Sequence, residues 1–396
     1  MALEHRGRHA TAEGRTHGTA VERYPTMRVL LVHNESEFFG GAETVLGYLL
    51  ESMARHEAQL RVALVTESRF ASIVPPQFAR VAIADNRNMS ISKLVAQAVA
   101  IRRWMREFPC DIVHAWAARE WLLGSLVGTF VRRPVLATLH DHPQAPFLTP
   151  LRQRLMRFNA RSSLRRVVCV SEAVRSACIA AGYARSKLTV VRNGIPLVPS
   201  VVTDRRGAVR IGYLGVLTER KGVRRAFAIL SKFAGHTSVP WEFYVAGAAQ
   251  DAAGERMIES IRGQYAACDW WSQVKWLGWV EHTDEFLSAL DLVICPSDEF
   301  DPLPTVILEA GRAGTPVLAA RQGGAPEMIT DGETGWLFDP REVEAASLLL
   351  ARLASDRDQL AAAGRLAAEK VRHAFGVDRM RLEYEQLYRE LLAHRP

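Results

Sequence analysis

Two carboxylate residues, Asp301 and Glu309, stand on either side of a predicted helix start. Pro304 suits the first position of a helix, because its missing N–H would have no partner there in any case. The backbone N–H groups of Thr305 and Val306 would then be unpaired donors that can hold a diphosphate. Glu309 lies about one turn further on, where a carboxylate can accept two vicinal ribose hydroxyls. The alternative is a capped helix with an ordinary surface glutamate.

A second segment with possible phosphate chemistry runs from Ile211 to Gly222. An apolar strand leads into Gly215, and the basic pair Arg220-Lys221 follows just before a predicted helix. An ammonium group close to exposed N–H groups neutralises charge on a leaving phosphate, whereas a solvated lysine is the alternative. The segment lacks the GK[ST] of a Walker loop and the GxGxxG of a dinucleotide turn, so the usual signals for ATP and NAD are absent.

The elements that must position these residues alternate between strand and helix. The 396 residues, 48% of them hydrophobic, are enough for two cores. Short β-branched runs recur between helical stretches, and the rhythm restarts after residue 207, which predicts two α/β domains with parallel sheets. Ligands of such sheets bind at the carboxyl ends of strands, so we expect a cleft between the domains. The predicted strands are Arg28–Val32, Leu60–Val65, Ile112–His114, Val135–Leu139, Val167–Val170, Val209–Leu214, Trp241–Ala246, Val274–Leu277, Leu292–Cys295 and Pro316–Ala319. Residues 343–371 and the final stretch 377–394 are predicted to be helical.

These segments occur together with other short motifs in an order that resembles family 4 of the retaining glycosyltransferases with the GT-B fold. The similarity extends from about Arg28 to the C-terminal helix. None of the motifs is decisive alone, but their joint order is specific. They are Gly40-Gly41-Ala42-Glu43, Thr138-Leu139-His140-Asp141, Val191-Arg192-Asn193-Gly194-Ile195, Lys221-Gly222, Ala246-Gly247, Leu277-Gly278, the pair Asp301 and Glu309, and Gly323-Gly324-Ala325-Pro326-Glu327.

The resemblance implies an α/β protein in which two Rossmann-like domains face a cleft. Residues 1–25 would form a disordered tail, 26–200 the acceptor-side domain, 201–375 the nucleotide-sugar-binding domain, and 376–396 a helix that packs back on the first domain. The implied activity is hexosyl transfer (EC 2.4) from a nucleotide-diphosphate sugar to a glycan or lipid-linked acceptor, in cell-surface polysaccharide or glycoconjugate biosynthesis. No metal and no cofactor beyond the donor substrate is expected.

The site roles also follow from the resemblance, residue by residue. Asp301 would bind the donor sugar, Lys221 the diphosphate, and His140 would lie at the cleft floor, so these three are the predicted catalytic residues. For His140 the alternative is a hydrogen-bonded structural histidine. The loop with Gly40, Gly41 and Glu43 would approach the donor phosphate and the acceptor, since glycine permits a close backbone approach. Contacts to the donor are implied for Glu309, Lys221, Arg220, Gly215, Leu303, Thr305 and Val306.

Three positions depart from the family pattern. Val216 stands where arginine is frequent, so one diphosphate cation is missing, and Arg220 is the candidate replacement. Asp301 is one methylene shorter than the usual glutamate, and Pro304 replaces a frequent glycine and removes one N–H donor. Two other functions therefore stay open: a GT-B nucleotide-sugar epimerase that needs no acceptor, and a non-catalytic nucleotide-sugar-binding subunit.

One triplet, Asp356-Arg357-Asp358, resembles the DxD metal motif of the other glycosyltransferase fold. It lies in an Ala/Leu-rich helical pattern, which favours a solvated helix face. We therefore predict no catalytic metal.

The net charge of +7 suits an anionic partner, but no nucleic-acid-binding motif accompanies it. The segment Leu151–Arg166 spaces apolar residues three or four apart, with arginines between them. It predicts either a helix on an anionic membrane surface, through Arg152–Arg166, or a half-buried helix with a basic solvent face. No apolar run is long enough for a transmembrane span, and no secretory signal is found. With five scattered cysteines that favour reduced thiols, we expect a cytoplasmic location, peripheral on the inner membrane face if the helix binds lipid.

Overall fold

The computed structural model describes residues 27–33, 40–56, 59–64, 69–83, 90–197 and 207–393. Within them the chain forms two parallel β-sheets, each with its own helices. The expected tail at residues 1–25 and the expected boundary at residue 200 lie outside the described residues. Among the described helices, none combines the length and the apolar character that crossing a bilayer requires.

The first sheet has seven parallel strands, whose spatial order is β3-β2-β1-β4-β5-β6-β7. The order reverses between β1 and β4, and ligands of open parallel sheets bind at the strand ends beside such a reversal. Strands β4 and β5 are buried at every residue, as expected of parallel strands covered on both faces. The strands are β1 (Arg28–His33), β2 (Gln59–Leu64), β3 (Ala79–Ala82), β4 (Ile112–Ala115), β5 (Val135–Leu139), β6 (Leu164–Cys169) and β7 (Leu188–Val190). The helices between them are α1 (Gly41–Arg55), α2 (Arg69–Ile73), α3 (Ile91–Glu107), α4 (Trp121–Val131), α5 (Pro150–Ser162) and α6 (Glu172–Ala180).

The second sheet has six parallel strands in the order β10-β9-β8-β11-β12-β13. It repeats the topology of the first sheet, and its reversal lies between β8 and β11. The strands are β8 (Val209–Leu214), β9 (Trp241–Ala246), β10 (Val274–Gly278), β11 (Leu292–Cys295), β12 (Val317–Ala320) and β13 (Gly335–Phe338). The helices that follow in chain order are α7 (Val223–His236), α8 (Ala252–Tyr265), α9 (Thr283–Ser288), α10 (Thr305–Arg312), α11 (Ala325–Met328), α12 (Val343–Ala354), α13 (Arg357–Ala374) and α14 (Val377–Ala393).

Two helical expectations need correction. The stretch 343–371 is not one helix but two, α12 and α13, because Asp356 acts as an N-cap and accepts the Gln359 N–H at 2.9 Å. The triplet at Asp356 therefore starts a helix instead of lying on a helix face. The basic segment that begins at Leu151 is helical only to Ser162, and Arg165 and Arg166 lie on β6.

Helix α14 returns to the first domain. The chain passes between the domains near Gly194 and again near Gly376, where Ile195 donates to Phe375 and Val377 donates to Ile195, each at 2.9 Å. A side chain at Gly194 would place its Cβ only 2.7 Å from the Gly376 carbonyl, so the two crossings touch backbone to backbone. Beyond them, α14 packs against α1 and β4, with Met380, Tyr384, Leu387 and Tyr388 in the first-domain core.

Candidate active site in the interdomain cleft

A cleft of about 790 Å³ lies between the two domains, at the carboxyl ends of the central strands of both sheets. Its position agrees with the expectation from the two strand-order reversals. Gly40 adjoins it as the N-cap of α1. The other predicted site residues line the cleft: Asp301, His140, Lys221, Glu309, Arg220, Gly215, Leu303, Thr305, Val306, Gly41 and Glu43.

Lys221 and Asp301 form an ion pair in this cleft, with the Lys221 Nζ atom 2.6 Å from Asp301 Oδ2. Lys221 ends a short 3₁₀ turn after β8, and the next residue, Gly222, has a left-handed φ of 73°. A side chain there would collide with the Pro296 carbonyl at 1.8 Å, so glycine is what allows this turn. Asp301 is 5% exposed and also accepts a hydrogen bond from Ser297 at 3.2 Å. The lysine and the aspartate predicted from separate motifs are therefore direct partners.

Arg220, the residue before Lys221, faces the first domain. Its carbonyl accepts the N–H groups of Asp298 and Glu299, which fixes the turn against the loop after β11. Within the described residues, its guanidinium has no ion-pair partner. Burial raises the pKa of Asp141, at the end of β5, while the positive charges of Arg220 and Arg119 oppose that shift. Arg220 and Asp141 therefore influence each other across the cleft.

Helix α10 presents its N-terminus to the cleft. It begins at Thr305, one residue later than predicted, and Pro304 is its N-cap. The first-turn residues Thr305 and Val306 both line the cleft. Burial raises the pKa of Glu309, while the charge of Arg312 and a hydrogen bond with the Thr305 side chain lower it. The carboxylate thus lies one turn behind two unpaired backbone donors, as the spacing predicted.

The first-domain loop approaches this helix closely. A Cβ placed on Gly41 would lie 3.7 Å from the Thr305 side chain, so the two domains are in near contact there. Glu43 has a second task that the sequence did not predict, because its Oε2 accepts the Gly40 N–H at 2.8 Å and caps α1.

Leu303 and Gly215, two of the residues predicted to contact the donor, could do so only through the backbone or through apolar packing. Leu303 is only 4% exposed, and its side chain packs beside Gly324. Gly215 directly follows β8, has a φ of 155°, and donates its N–H to the Ala246 carbonyl at 3.1 Å. Neither residue therefore offers a polar side chain to the cleft.

His140 lies at the first-domain side of the cleft and is 8% exposed. Its ring packs on Trp116, with centroids 4.6 Å apart. Burial lowers its pKa to about 3, with a further contribution from His33, although a hydrogen bond with the Trp116 backbone opposes the shift. The imidazole is therefore neutral at neutral pH. Its Nε2 atom has no hydrogen-bond partner among the described residues.

Two residues that no sequence motif indicated also shape this floor. His33 ends β1, is 1% exposed, and lies 3.7 Å from Glu120 and 4.0 Å from Glu43, and burial lowers its pKa to about 4. Trp116 follows β4 and donates its indole N–H to the Ala42 carbonyl at 3.0 Å, which ties the His140 stack to the start of α1. Both residues stand at the end of a strand beside the reversal, a position that the topology rule indicates.

Helix α5 exposes an apolar face instead of burying it. Leu151 and Phe158 are each 66% exposed and Leu155 is 39% exposed, whereas the buried side of the helix consists of Met156, Asn159 and Ala160. Arg154 and Arg161 are exposed on the same helix. The interpretation as a half-buried helix with a basic solvent face is therefore incomplete, because the solvent face is apolar as well as basic.

The apolar face of α5 reaches the cleft mouth through the preceding loop. Phe147 in that loop is 49% exposed and lines the cleft, with the Arg119 guanidinium 5.6 Å from its ring centroid. Arg152 of α5 donates to the Arg119 carbonyl at 3.2 Å. The exposed helix face and the cleft are thus neighbouring surfaces of one domain.

Two Rossmann-like sheets whose reversals face one cleft, with cations and a helix N-terminus on the second domain, define a protein of the GT-B architecture. Comparison with models of known protein families agrees with this assignment. The model of glycosyltransferase family 4 matches residues 39–198, and the model of glycosyl transferases group 1 matches residues 202–370. The two matches together span most of the chain, which belongs to the family 4 glycosyltransferases.

Individual relatives are distant. The lipopolysaccharide core biosynthesis glycosyltransferase LpsE of Rhizobium meliloti is 24% identical over 324 residues, which is 80% of this chain and 86% of that protein. Glycogen synthase of Mycobacterium tuberculosis is 27% identical over 277 residues, 66% of this chain and 64% of the relative. The crystal structure of Anabaena HepE in complex with UDP matches 92% of this chain and 100% of its own, with a TM-score of 0.81 and 21% identity. These comparisons confirm the predicted fold and the glycosyltransferase class, in polysaccharide or glycoconjugate biosynthesis.

Proposed function

We propose that this chain transfers a hexose from a nucleotide-diphosphate sugar with retention at the anomeric carbon. The observation that carries the proposal is the arrangement of Lys221, Arg220 and the α10 N-terminus on one wall of the cleft, opposite His140 and Asp141. A diphosphate needs cations and unpaired N–H donors, and the second domain supplies both. Glu309 lies behind these donors, where it accepts ribose hydroxyls.

The transfer step requires that the bond between the anomeric carbon and the diphosphate oxygen breaks while a bond to an acceptor oxygen forms on the same face. Lys221, Arg220 and the N–H groups of Thr305 and Val306 stabilise the negative charge that collects on the leaving diphosphate. Asp301 contacts the donor sugar, and the neutral His140 accepts or donates a hydrogen bond at the sugar. The acceptor proton moves to an oxygen of the leaving phosphate.

The stereochemical part of the proposal has a direct test. The protein is incubated with nucleotide sugars and an acceptor, and the new linkage is assigned by NMR. We expect the anomeric configuration of the donor to be kept. An inverted product would exclude retention. Full activity in the presence of EDTA is expected as well, because the proposed charge stabilisation comes from side chains and helix N–H groups.

For the donor, we propose a UDP-hexose. The support is the fold match to Anabaena HepE, whose structures are described as complexes with UDP and with UDP-glucose. A thermal-shift screen of nucleotide sugars tests the base and the sugar together, because a ligand at about 100 times its dissociation constant adds about 2.7 kcal/mol to the free energy of unfolding. Stabilisation by GDP- or ADP-sugars alone would contradict the choice of UDP.

Two alternative functions, an epimerase and a non-catalytic subunit, can be tested with the same donors and acceptors. An epimerase would convert the nucleotide sugar without any acceptor, so product from the donor alone would favour it. A non-catalytic subunit, suggested by Val216 and by the short Asp301 side chain, would bind donor in calorimetry and turn over no acceptor. The near contact between the Gly41 loop and Thr305 favours transfer, because it places the first domain, the predicted acceptor side, against the donor-binding wall of the second domain.

We further propose that α5 binds an anionic membrane and that the acceptor is lipid-linked. The support is an exposed apolar stripe flanked by exposed arginines, next to the cleft mouth. Each arginine near an anionic leaflet contributes about 1 kcal/mol, and the apolar side chains add burial at the lipid interface. Co-sedimentation with anionic vesicles should be strong at low salt and weaken at high salt. Failure to bind anionic vesicles at low salt would favour a soluble glycan acceptor.

A further inference from the structure

Glu327 has no role in the site described above, although it ends the glycine-rich motif that starts at Gly323. It lies on α11 of the second domain, and both of its oxygens reach the first domain. Oε1 accepts the backbone N–H of Ala173 at 2.9 Å, and Oε2 accepts Nε–H of Arg192 at 2.9 Å. Ala173 lies in the first turn of α6, and Arg192 follows β7. One carboxylate thus makes two hydrogen bonds across the domain boundary.

The two hydrogen bonds of Glu327 are largely shielded from water. Its side chain is 15% exposed, so water screens the contact with Arg192 only in part. The N–H groups at the start of α6 also favour an anion. Hydrogen bonds to a charged group are stronger than those between neutral groups, which makes this pair of bonds a firm contact between the domains.

The same short segment supports the loop that carries Asp301. The Gly324 N–H donates to the Asp301 carbonyl at 2.9 Å. A side chain at Gly323, whose φ is 56°, would lie 2.0 Å from that carbonyl oxygen, so the two backbones are in direct contact. Glu327 follows Gly324 by less than one helical turn. The backbone of Asp301 and the interdomain carboxylate therefore belong to one compact unit.

We propose that Glu327 is a positioning residue that holds the two domains in the arrangement in which Asp301 faces His140 and Asp141. This inference rests on the proposed function, because it assigns transfer to residues of both domains. The cations, the helix N–H groups and the ribose carboxylate proposed to hold the nucleotide, by contrast, all lie on the second domain. Loss of the Glu327 contacts therefore lowers the turnover number and leaves the affinity for the nucleotide unchanged.

The experiment compares E327A and E327Q with E333Q, which removes the charge of an exposed glutamate in the same domain. Turnover is measured with saturating donor, and UDP affinity by calorimetry. We expect E327A to lower kcat about tenfold or more, as the loss of charge-assisted hydrogen bonds does. The E327Q variant keeps an oxygen for the Ala173 N–H, so its kcat should lie between those of E327A and the wild type. UDP affinity should change by less than about twofold in every variant, and E333Q should match the wild type.

Two results would overturn the inference: an unchanged kcat in E327A, or a loss of UDP affinity as large as the loss of kcat. A second pair of measurements needs neither transfer nor nucleotide binding. Hydrogen exchange at the Ala173 amide should accelerate in E327A, and small-angle scattering should show a broader range of domain separations than in E333Q. If the wild type neither binds UDP nor transfers sugar, the proposed function fails, and these two measurements still decide the role of Glu327. Unchanged exchange and scattering in E327A would then refute it.

Discussion

Lys221, the cation proposed to bind the diphosphate, is already paired with the Asp301 carboxylate. The pair is only partly screened by water, because Asp301 is almost fully buried and the lysine is 26% exposed. An incoming diphosphate must therefore share Lys221 with this carboxylate or displace it. Arg220, which has no ion-pair partner among the described residues, consequently gains importance as a cation for the ligand.

We expect alanine at either Lys221 or Arg220 to reduce kcat more than it reduces stability, because both charges act on the departing phosphate. The loss should be about tenfold or more for each. Arg224→Ala is the matched control, since Arg224 is close in sequence but pairs with the exposed Glu219. Steady-state kinetics and thermal unfolding separate the two effects. A normal rate in Arg220→Ala would show that Val216 has no cationic substitute.

Glu309→Gln should keep the fold and lower kcat/KM about tenfold or more. The amide has nearly the same size but loses the charge that strengthens acceptance of ribose hydroxyls, which contributes about 1.5 to 3 kcal/mol. Glu285→Gln, at an exposed position on α9, is the control. Unchanged kinetics in the Glu309 variant would remove this residue from the site.

Three buried histidines of the first domain are expected to make the protein less stable in acid. Burial lowers the pKa values of His33 to about 4, and of His114 and His140 to about 3. In the unfolded chain these histidines have pKa values of about 6.5. Below that pH the unfolded chain binds more protons than the folded chain, so the free energy of unfolding falls as the pH decreases. Between about pH 6 and pH 4, the expected slope is up to about 4 kcal/mol per pH unit for three such groups.

Urea unfolding at several pH values measures this slope. His114→Gln should reduce it by about one third. An equal slope in wild type and His114→Gln would show that these histidines do not control acid stability.

At the scale of single elements, α5 is unusual because three of its large apolar residues, Leu151, Leu155 and Phe158, are exposed to solvent. Leu151→Ser should weaken binding to anionic vesicles, since it removes apolar area that enters the lipid interface at about 25 cal/mol per Å². Leu382→Ser, at an exposed leucine of α14 that is 51% accessible, is the control. Co-sedimentation at one lipid composition compares them. Equal binding by both variants would argue against α5 as the contact surface.

The central strands could be predicted from sequence, whereas three of the four edge strands could not. The ranges Val135–Leu139 and Leu292–Cys295 match the observed strands, because strands buried on both faces form nearly continuous apolar runs. The short strands β3, β7 and β13 were missed. Each has at most four residues, and Arg80, Thr189 or Gly335 shortens the apolar run that identifies a buried strand.

The individual residues of the candidate site could be predicted from sequence, but the contacts between them could not. Motif spacing indicated Lys221 and Asp301 separately, but their contact depends on how β8 and β11 lie side by side. Trp116 and His33 carry no motif, and their importance depends on the three-dimensional position of His140. The start of β6 was also missed, because Arg165 and Arg166, which lie there, resemble the basic face of a helix.

At the scale of the whole molecule, the first domain depends on the last helix. Tyr388 hydrogen-bonds to His114 at 2.8 Å, and Met380, Tyr384 and Tyr388 are at most 1% exposed. A chain that ends at Gly376 would lose these side chains, each contributing about 1.5 to 3 kcal/mol, and the sum rivals the stability of a whole domain. Hydrogen exchange should then show β4 and β5 unprotected and β9 still protected. Protection of β5 in the truncated chain would contradict this dependence.

The return of α14 also sets an order of events during synthesis. Domains ordinarily fold as they leave the ribosome, the N-terminal one first. Here the partner of His114 is separated from it by 274 positions, so part of one face of the first sheet stays uncovered while the second domain is made and folds. The half of the protein that is translated first is therefore the half that is completed last. During that interval its exposed apolar face is a natural binding surface for a chaperone.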